Sequence, residues 1–131
     1  MEYEALPSPA ELDLVAERLG LAVSFERRIW GGQSATTDIL IGDRGQRVVL
    51  RRHGRWSVGF DDGIAAREEA VVRVVRGAGV PAPRVLWSGQ LGAATAIATE
   101  FVHGVAIIDP ADPMRWASQL ATTLAKIHSV A

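Results

Sequence analysis

Several features are absent from this 131-residue chain, and each absence removes a class of protein. It contains no cysteine, which excludes a disulfide framework and a thiolate metal site and is compatible with a reducing cytosol. Its 14 basic and 15 acidic residues nearly balance, so no positive excess favours a nucleic acid or an anionic membrane as partner. No apolar run approaches the roughly 18 residues of a membrane helix. We therefore expect a cytoplasmic globular domain.

The order of the helix and strand patterns predicts an α+β fold. The predicted elements are a helix capped by Ser8, strands over 22–30, 35–41 and 46–52, a helix over 64–76, strands over 85–88 and 94–102, and a helix capped by Asp112. Three strands in succession, joined by short turns, favour an antiparallel five-stranded sheet with helices packed on it. A parallel doubly wound sheet would alternate strand and helix more strictly.

A glycine-rich turn separates the first two predicted strands. It contains Gly31, Gly32, Gln33 and Ser34. Glycines allow backbone N–H groups to approach phosphate oxygens closely. The segment lacks the Gly-Lys-Ser/Thr of a Walker motif. Taken alone, it is more typical of an ordinary hairpin turn than of a phosphate-binding turn.

Three further segments carry chemically useful groups. The apolar run 48–50 ends in Arg51 and Arg52, and an arginine fork can bind phosphate oxygens in pairs. The helix over 64–76 carries the acidic pair Glu68 and Glu69 about one turn after its start. The helix dipole alone would also favour acidic residues near that end. The fifth predicted strand ends in the segment 99–104.

In this order, these segments resemble the small, nucleotide-holding lobe of the aminoglycoside phosphotransferase family, which shares the protein-kinase-like fold. The resemblance covers roughly residues 23–130. It implies that the glycine turn lies over the nucleotide phosphates, and that Arg51 stands where protein kinases carry a lysine, with Arg52 as the rival. It also implies that Glu68 pairs with this cation, with Glu69 as the rival.

For the end of the fifth strand, the resemblance implies that the backbone of Glu100, Phe101 and Val102 binds the adenine or guanine edge. The implied cofactor is ATP or GTP with Mg²⁺, and the implied reaction is phosphoryl transfer to a hydroxyl of a small molecule. The three histidines show no metal-ligand spacing. We assign no catalytic residue and no metal ligand to this chain.

The resemblance also divides the chain. It implies a kinase-like lobe over residues 1–104, followed over 105–131 by a linker and the first helix of a second lobe. The family's catalytic aspartate and Mg²⁺ ligands belong to that second lobe, and no His-Gly-Asp segment occurs here. We therefore expect part of an enzyme that is inactive alone, or a non-catalytic nucleotide-binding or interaction module. Self-association through the helix over 113–129 is a further expectation, because its apolar face would lack a covering lobe.

Overall fold

The computed structural model describes residues 5–32, 34–54 and 63–130, which form one sheet and three helices. The helices are α1 (Pro9–Leu19), α2 (Ile64–Gly77) and α3 (Pro113–His128). The strands are β1 (Val23–Ile29), β2 (Ala35–Gly42), β3 (Arg47–His53), β4 (Val85–Leu91) and β5 (Ala94–Glu100). The predicted α+β class is confirmed.

The five strands follow the order β1-β2-β3-β5-β4, and every neighbouring pair is antiparallel. The chain leaves β3 through α2, enters the sheet again at its edge as β4, and returns as β5 beside β3. Strand β3 is therefore central: Leu50 lies opposite Asp38 of β2 and Ala98 of β5. The predicted antiparallel sheet is confirmed.

The fourth strand is longer than predicted. The sequence prediction ended it at Ser88 and placed a turn at 90–92, but β4 continues to Leu91, which is fully buried. Gly89 lies within the strand, and a Cβ there would approach the Trp87 indole to 3.0 Å, so glycine gives that ring more room than any other residue. The turn from β4 into β5 is therefore confined to residues 92–93, and Gly92 adopts the left-handed region there with φ 60°.

The main core lies between α1 and one face of the sheet, which we call the outer face. Its buried members include Val15 of α1, Leu40 of β2 and Leu50 of β3. Burying a side chain of this size contributes about 1.5–3 kcal/mol. Helix α1 begins as predicted: the Ser8 hydroxyl accepts from the Glu11 amide at 3.2 Å, and the Glu11 carboxylate accepts from the Ser8 amide at 2.8 Å.

Helix α3 differs from α1 and α2 because none of its residues is buried. Its N-terminus is capped by Asp112, whose carboxylate accepts from the Arg115 amide at 3.0 Å. The predicted apolar stripe exists, but it is exposed, from 40% for Trp116 to 52% for Leu124. Within the described ranges, no helix is both long and apolar enough to cross a membrane.

Candidate functional site

The two candidate cations of β3 lie on opposite faces of the sheet. Successive side chains of a strand alternate between faces, so Arg52 shares the outer face with Leu50, whereas Arg51 lies on the other, inner face. The whole site is built on this alternation. The only lysine of the chain is Lys126 in α3, so any strong cation on the sheet is an arginine.

Arg52 belongs to a buried ion network on the outer face. Its Nη2 donates to Asp38 Oδ2 at 3.1 Å and to the Ala5 carbonyl at 2.7 Å, and its Nη1 lies 3.4 Å from Glu11 Oε1. Arg28 Nε donates to the other oxygen of Asp38 at 2.7 Å. Asp38 is fully buried and Arg52 is 7% exposed. These contacts hold α1 to the sheet and leave Arg52 turned away from Arg51.

Arg51 pairs with Glu68 across the space between β3 and α2. Its Nη1 donates to Glu68 Oε1. Helix α2 presents Glu68 toward the strand because it packs beside β4 and β5. The Arg51 side chain keeps 37% of its surface exposed and the Glu68 side chain 29%. Both groups are therefore ordered by each other and still accessible to a ligand.

Glu69 points to a different neighbour. Its Oε2 accepts from the Ser88 hydroxyl of β4, and its Oε1 accepts from Arg73 Nε at 2.8 Å, one helical turn along α2. The Ser88 hydrogen bond first, and the Arg73 guanidinium second, hold the pKa of Glu69 below its usual value. Glu69 therefore fastens α2 to the edge strand, and the geometry separates it from Arg51.

A histidine joins the Arg51–Glu68 pair. The Nε2 atom of His53 lies 3.6 Å from Glu68 Oε2, the oxygen that Arg51 does not take. His53, and then the charge of Arg51, lower the pKa of Glu68 below its ordinary value of 4.5, while partial burial acts in the opposite direction. The carboxylate is thus held in its ionised form between two nitrogen-bearing groups.

The glycine turn between β1 and β2 has a backbone that favours glycine at two positions. Gly31 adopts φ 118°, and a Cβ on Gly32 would lie 2.8 Å from the Ala35 carbonyl oxygen. Both positions therefore favour glycine. Ser34 lies immediately before β2, and Gln33 lies outside the described residues. A role of this turn in phosphate binding stays a prediction.

At the end of β5, the side chain of Glu100 is occupied. Its carboxylate accepts from the Arg84 amide at 2.8 Å and lies 3.6 Å from Arg76 Nη1, while its own amide donates to the Arg84 carbonyl at 2.9 Å. These bonds anchor the end of β5 to the residue before β4. Glu100 therefore braces this segment, and only backbone groups remain to meet a base.

The two residues after Glu100 leave the sheet ladder. Phe101 contacts Arg47, whose guanidinium carbon lies 5.8 Å from the ring centroid, and the ring of His103 meets it edge-on at 4.9 Å. The Val102 side chain is 63% exposed. Among the described residues, the amide of Val102 donates to no other backbone carbonyl. The Val102 amide is therefore not used by the described backbone, and its contact with a base stays a prediction.

Three concavities adjoin these elements. One of about 370 Å³ is lined by Glu68 and its neighbours on α2, and one of about 380 Å³ is lined by Val102 and the segment 81–83. The largest, about 460 Å³, lies between the end of α1 and the start of β3 and includes Glu100 and Phe101 but not Arg51. We give it less weight, because it opens beside the outer face.

In the described part of the chain, no group of three or more histidine or acidic side chains is placed to hold a metal ion. This geometry gives a cation–carboxylate pair beside an accessible strand end. Such an arrangement can bind and orient a polyphosphate, since arginine donates to phosphate oxygens and its carboxylate partner fixes its direction.

Comparison with known proteins assigns the family. A model described as the phosphotransferase enzyme family (APH) matches residues 26–131. The chain belongs to this phosphotransferase enzyme family. This confirms the family resemblance of the sequence, and the matched region forms a phosphotransferase-like domain. Among curated proteins, none matches closely enough to count as a relative.

The fold is similar to a solved spectinomycin phosphotransferase whose crystal structure contains ADP and spectinomycin. The two share 18% identity with a TM-score of 0.67, and the match covers 92% of this chain and 37% of that one. At this identity the likeness shows the fold alone. The chain spans little more than a third of the length of this phosphotransferase.

Two contacts of the site were not anticipated from the sequence. The proximity of His53 to Glu68 has a simple signal, since residues 51 and 53 of one strand share a face. The hydrogen bond between Ser88 and Glu69 has no such signal in the sequence, because it depends on how far β4 extends. The sequence left the choices between Arg51 and Arg52, and between Glu68 and Glu69, open; the structure pairs Arg51 with Glu68.

Proposed function

We propose that this chain supplies the nucleotide-binding lobe of a phosphotransferase that transfers a phosphoryl group from ATP or GTP to a hydroxyl of a small molecule. The pairing of Arg51 with Glu68 is the observation that carries this proposal. In phosphoryl transfer, the protein contributes mainly positioning and charge stabilisation. An arginine held in one direction by a carboxylate, yet more than a third exposed, is suited to that work.

The proposed nucleotide lies along the inner face of the sheet. Arg51 donates to phosphate oxygens, and the amides around Gly31, Gly32 and Ser34 lie over the phosphates. The backbone of Phe101 and Val102, beyond the braced Glu100, binds the edge of the base. The family membership and the ADP found in the spectinomycin phosphotransferase support the binding of a nucleotide.

In this proposal Mg²⁺ is bound to the nucleotide. Mg²⁺ bound to the nucleotide would neutralise phosphate charge. Since no suitable cluster exists among the described residues, we assign its protein ligands, together with the catalytic base, to positions outside them. Within this chain, Arg51 supports the phosphates and Glu68 orients Arg51. We retain the predicted division into a lobe over 1–104 and a linker with the first helix of a second lobe over 105–131.

Calorimetric titration with Mg-ATP and Mg-GTP tests the proposal. Arg51→Ala should weaken binding about tenfold or more, because a hydrogen bond to a charged group contributes about 1.5–3 kcal/mol. Arg44→Ala, in the β2–β3 turn, is the matched control, since it removes the same charge away from the site. Equal affinities for the two variants would contradict the proposal.

The two glutamates supply a second matched pair. Glu68→Gln should weaken nucleotide binding, because it releases the carboxylate contact that orients Arg51. Glu69→Gln removes the same charge from the adjacent residue of α2 and should leave affinity nearly unchanged. The opposite ranking would show that the site is organised around β4 instead.

A second candidate function rests on the exposed apolar face of α3. Trp116, Leu120, Leu124 and Ile127 are each at least 40% exposed. A face of this kind favours association, and the alternative we propose is an interaction module that self-associates through 113–129. Sedimentation of the wild type and of Leu120→Ser over a range of concentrations tests this candidate. A dimer lost in the variant supports this candidate, and a monomer throughout removes it.

A further inference from the structure

His53 is a buried polar residue that the proposed function does not use. It is the last residue of β3, two positions beyond Arg51 and on the same face of the sheet. Only 2% of its surface is exposed. A group of this polarity is rarely buried without a hydrogen-bond partner.

Neither ring nitrogen of His53 has a hydrogen-bond partner among the described residues. The neighbouring strands do not provide one. Opposite His53 lie Ala35 on β2 and Thr95 on β5, and the Thr95 hydroxyl is itself buried without a partner. The carboxylate of Glu68 lies close to the ring, with its Oε2 3.6 Å from Nε2.

The two oxygens of Glu68 therefore face different nitrogen donors. Arg51 takes Oε1, and His53 faces Oε2. A separation of 3.6 Å is slightly longer than a hydrogen bond, and a small side-chain rotation would bring the two atoms within bonding distance. A donor at each oxygen would then define the plane of the carboxylate as well as its position. Arg51 alone would leave that plane free to turn.

We propose that His53 is a positioning residue, whose imidazole holds the second oxygen of Glu68 so that the first stays directed at Arg51. This inference rests on the proposed function for the importance of Arg51, but its geometric claim can be tested separately. The lowered pKa of Glu68, to which His53 contributes most, agrees with it.

The first readout is the titration of the Glu68 side-chain carboxyl, followed by carbon NMR in the full chain. His53→Leu fills a similar volume without a donor, and the pKa of Glu68 should rise. His53→Gln retains an N–H donor and should keep the Glu68 midpoint close to that of the wild type. His128→Gln, at the exposed end of α3, is the control and should change nothing. His53→Met replaces the leucine variant if leucine prevents folding.

The second readout is nucleotide affinity. His53→Leu should weaken Mg-ATP binding about fivefold, the effect of losing about one hydrogen bond, and His53→Gln should restore most of it. A Glu68 midpoint that is unchanged in His53→Leu would overturn the inference. A rise of equal size in His53→Gln would overturn it too, because the effect would then come from packing and not from the donor.

The two readouts separate this inference from the proposed function. If Arg51→Ala leaves nucleotide affinity unchanged, the nucleotide assignment fails. The titration of Glu68 in the His53 variants still decides whether His53 positions the carboxylate.

Discussion

Replacing Asp38 by asparagine should destabilise the protein severely. Asp38 is fully buried on the outer face and accepts from Arg28 Nε at 2.7 Å, from Arg28 Nη2 at 3.1 Å and from Arg52 Nη2 at 3.1 Å. The side chains of the two arginines are only 5% and 9% exposed. Asparagine would remove the negative charge that these two guanidinium groups share and would turn an N–H₂ group toward one of their donors.

The magnitude follows from this burial. Removing one partner of a buried ion pair costs about 3–5 kcal/mol, because the remaining charge stays buried and uncompensated. Arg52 would keep its bond to the Ala5 carbonyl at 2.7 Å and a 3.4 Å contact to Glu11, which relieves part of that cost. We therefore expect a loss of about 3 kcal/mol in the free energy of unfolding, a large share of the 5–15 kcal/mol that small domains possess.

Urea unfolding of Asp38→Asn beside Asp13→Asn measures this loss. Asp13 is an exposed residue of α1 that carries the same charge, and its substitution should change the free energy of unfolding by less than about 0.5 kcal/mol. In an Arg52→Met background, Asp38→Asn should cost less, because one of the stranded charges is gone. Equal, small losses in Asp38→Asn and Asp13→Asn would refute the account of a buried network that fixes Arg52 on the outer face.

Three further outcomes are expected. Ser8→Ala should lower the free energy of unfolding by about 1 kcal/mol in urea titrations, because it breaks the capping box of α1; no loss would contradict the cap. The pKa of the Glu68 carboxylate is lowered in the folded state, so its contribution to stability should be complete above its ordinary pKa of 4.5 and should disappear as pH falls through the lower folded pKa. The unfolding midpoint should therefore depend less on pH in Glu68→Gln across that acid range. Identical slopes of midpoint against pH in the wild type and the variant would contradict this. Gly32→Ala should destabilise the protein, since the new Cβ would lie 2.8 Å from the Ala35 carbonyl oxygen. Gly77→Ala, with open space around residue 77, should stabilise the protein by about 0.5 kcal/mol. Melting temperatures in the reverse order would show that the glycine turn is not close-packed.

Local signals were sufficient for most of the fold. The capping residues Ser8 and Asp112 mark the starts of two helices because their side chains satisfy free amides within the same turn. The apolar run 48–50, directly before Arg51, identifies β3, because a central strand is buried on both faces. Helix and strand periods depend only on nearby residues, and so they can be read from sequence.

The end of β4 could not be predicted in the same way. Ser88 and Gly89 are residues of turns as often as of strands. What extends this strand is the burial of Leu91 against the core and the space that Gly89 leaves for Trp87. Both depend on residues that come together only in the folded sheet.

The sequence prediction already paired Arg51 with Glu68, but it could not decide between these residues and their rivals Arg52 and Glu69. Strand alternation separates Arg51 from Arg52, but which face receives α2 is a tertiary property. A helix places Glu68 and Glu69 about 100° apart, and only the docking of α2 on β4 turns one toward Arg51 and the other toward Ser88. The nucleotide itself remains a proposal that these pairings support.

The most direct test of the central claim is a titration of the full chain with Mg-ATP, followed residue by residue through backbone amide NMR signals. The account predicts that signals shift in the glycine turn, around Arg51, and at Phe101 and Val102. Signals of α1 on the outer face should stay in place. Shifts confined to the outer face, or no shifts at millimolar nucleotide, would contradict the claim that the inner face binds a nucleotide.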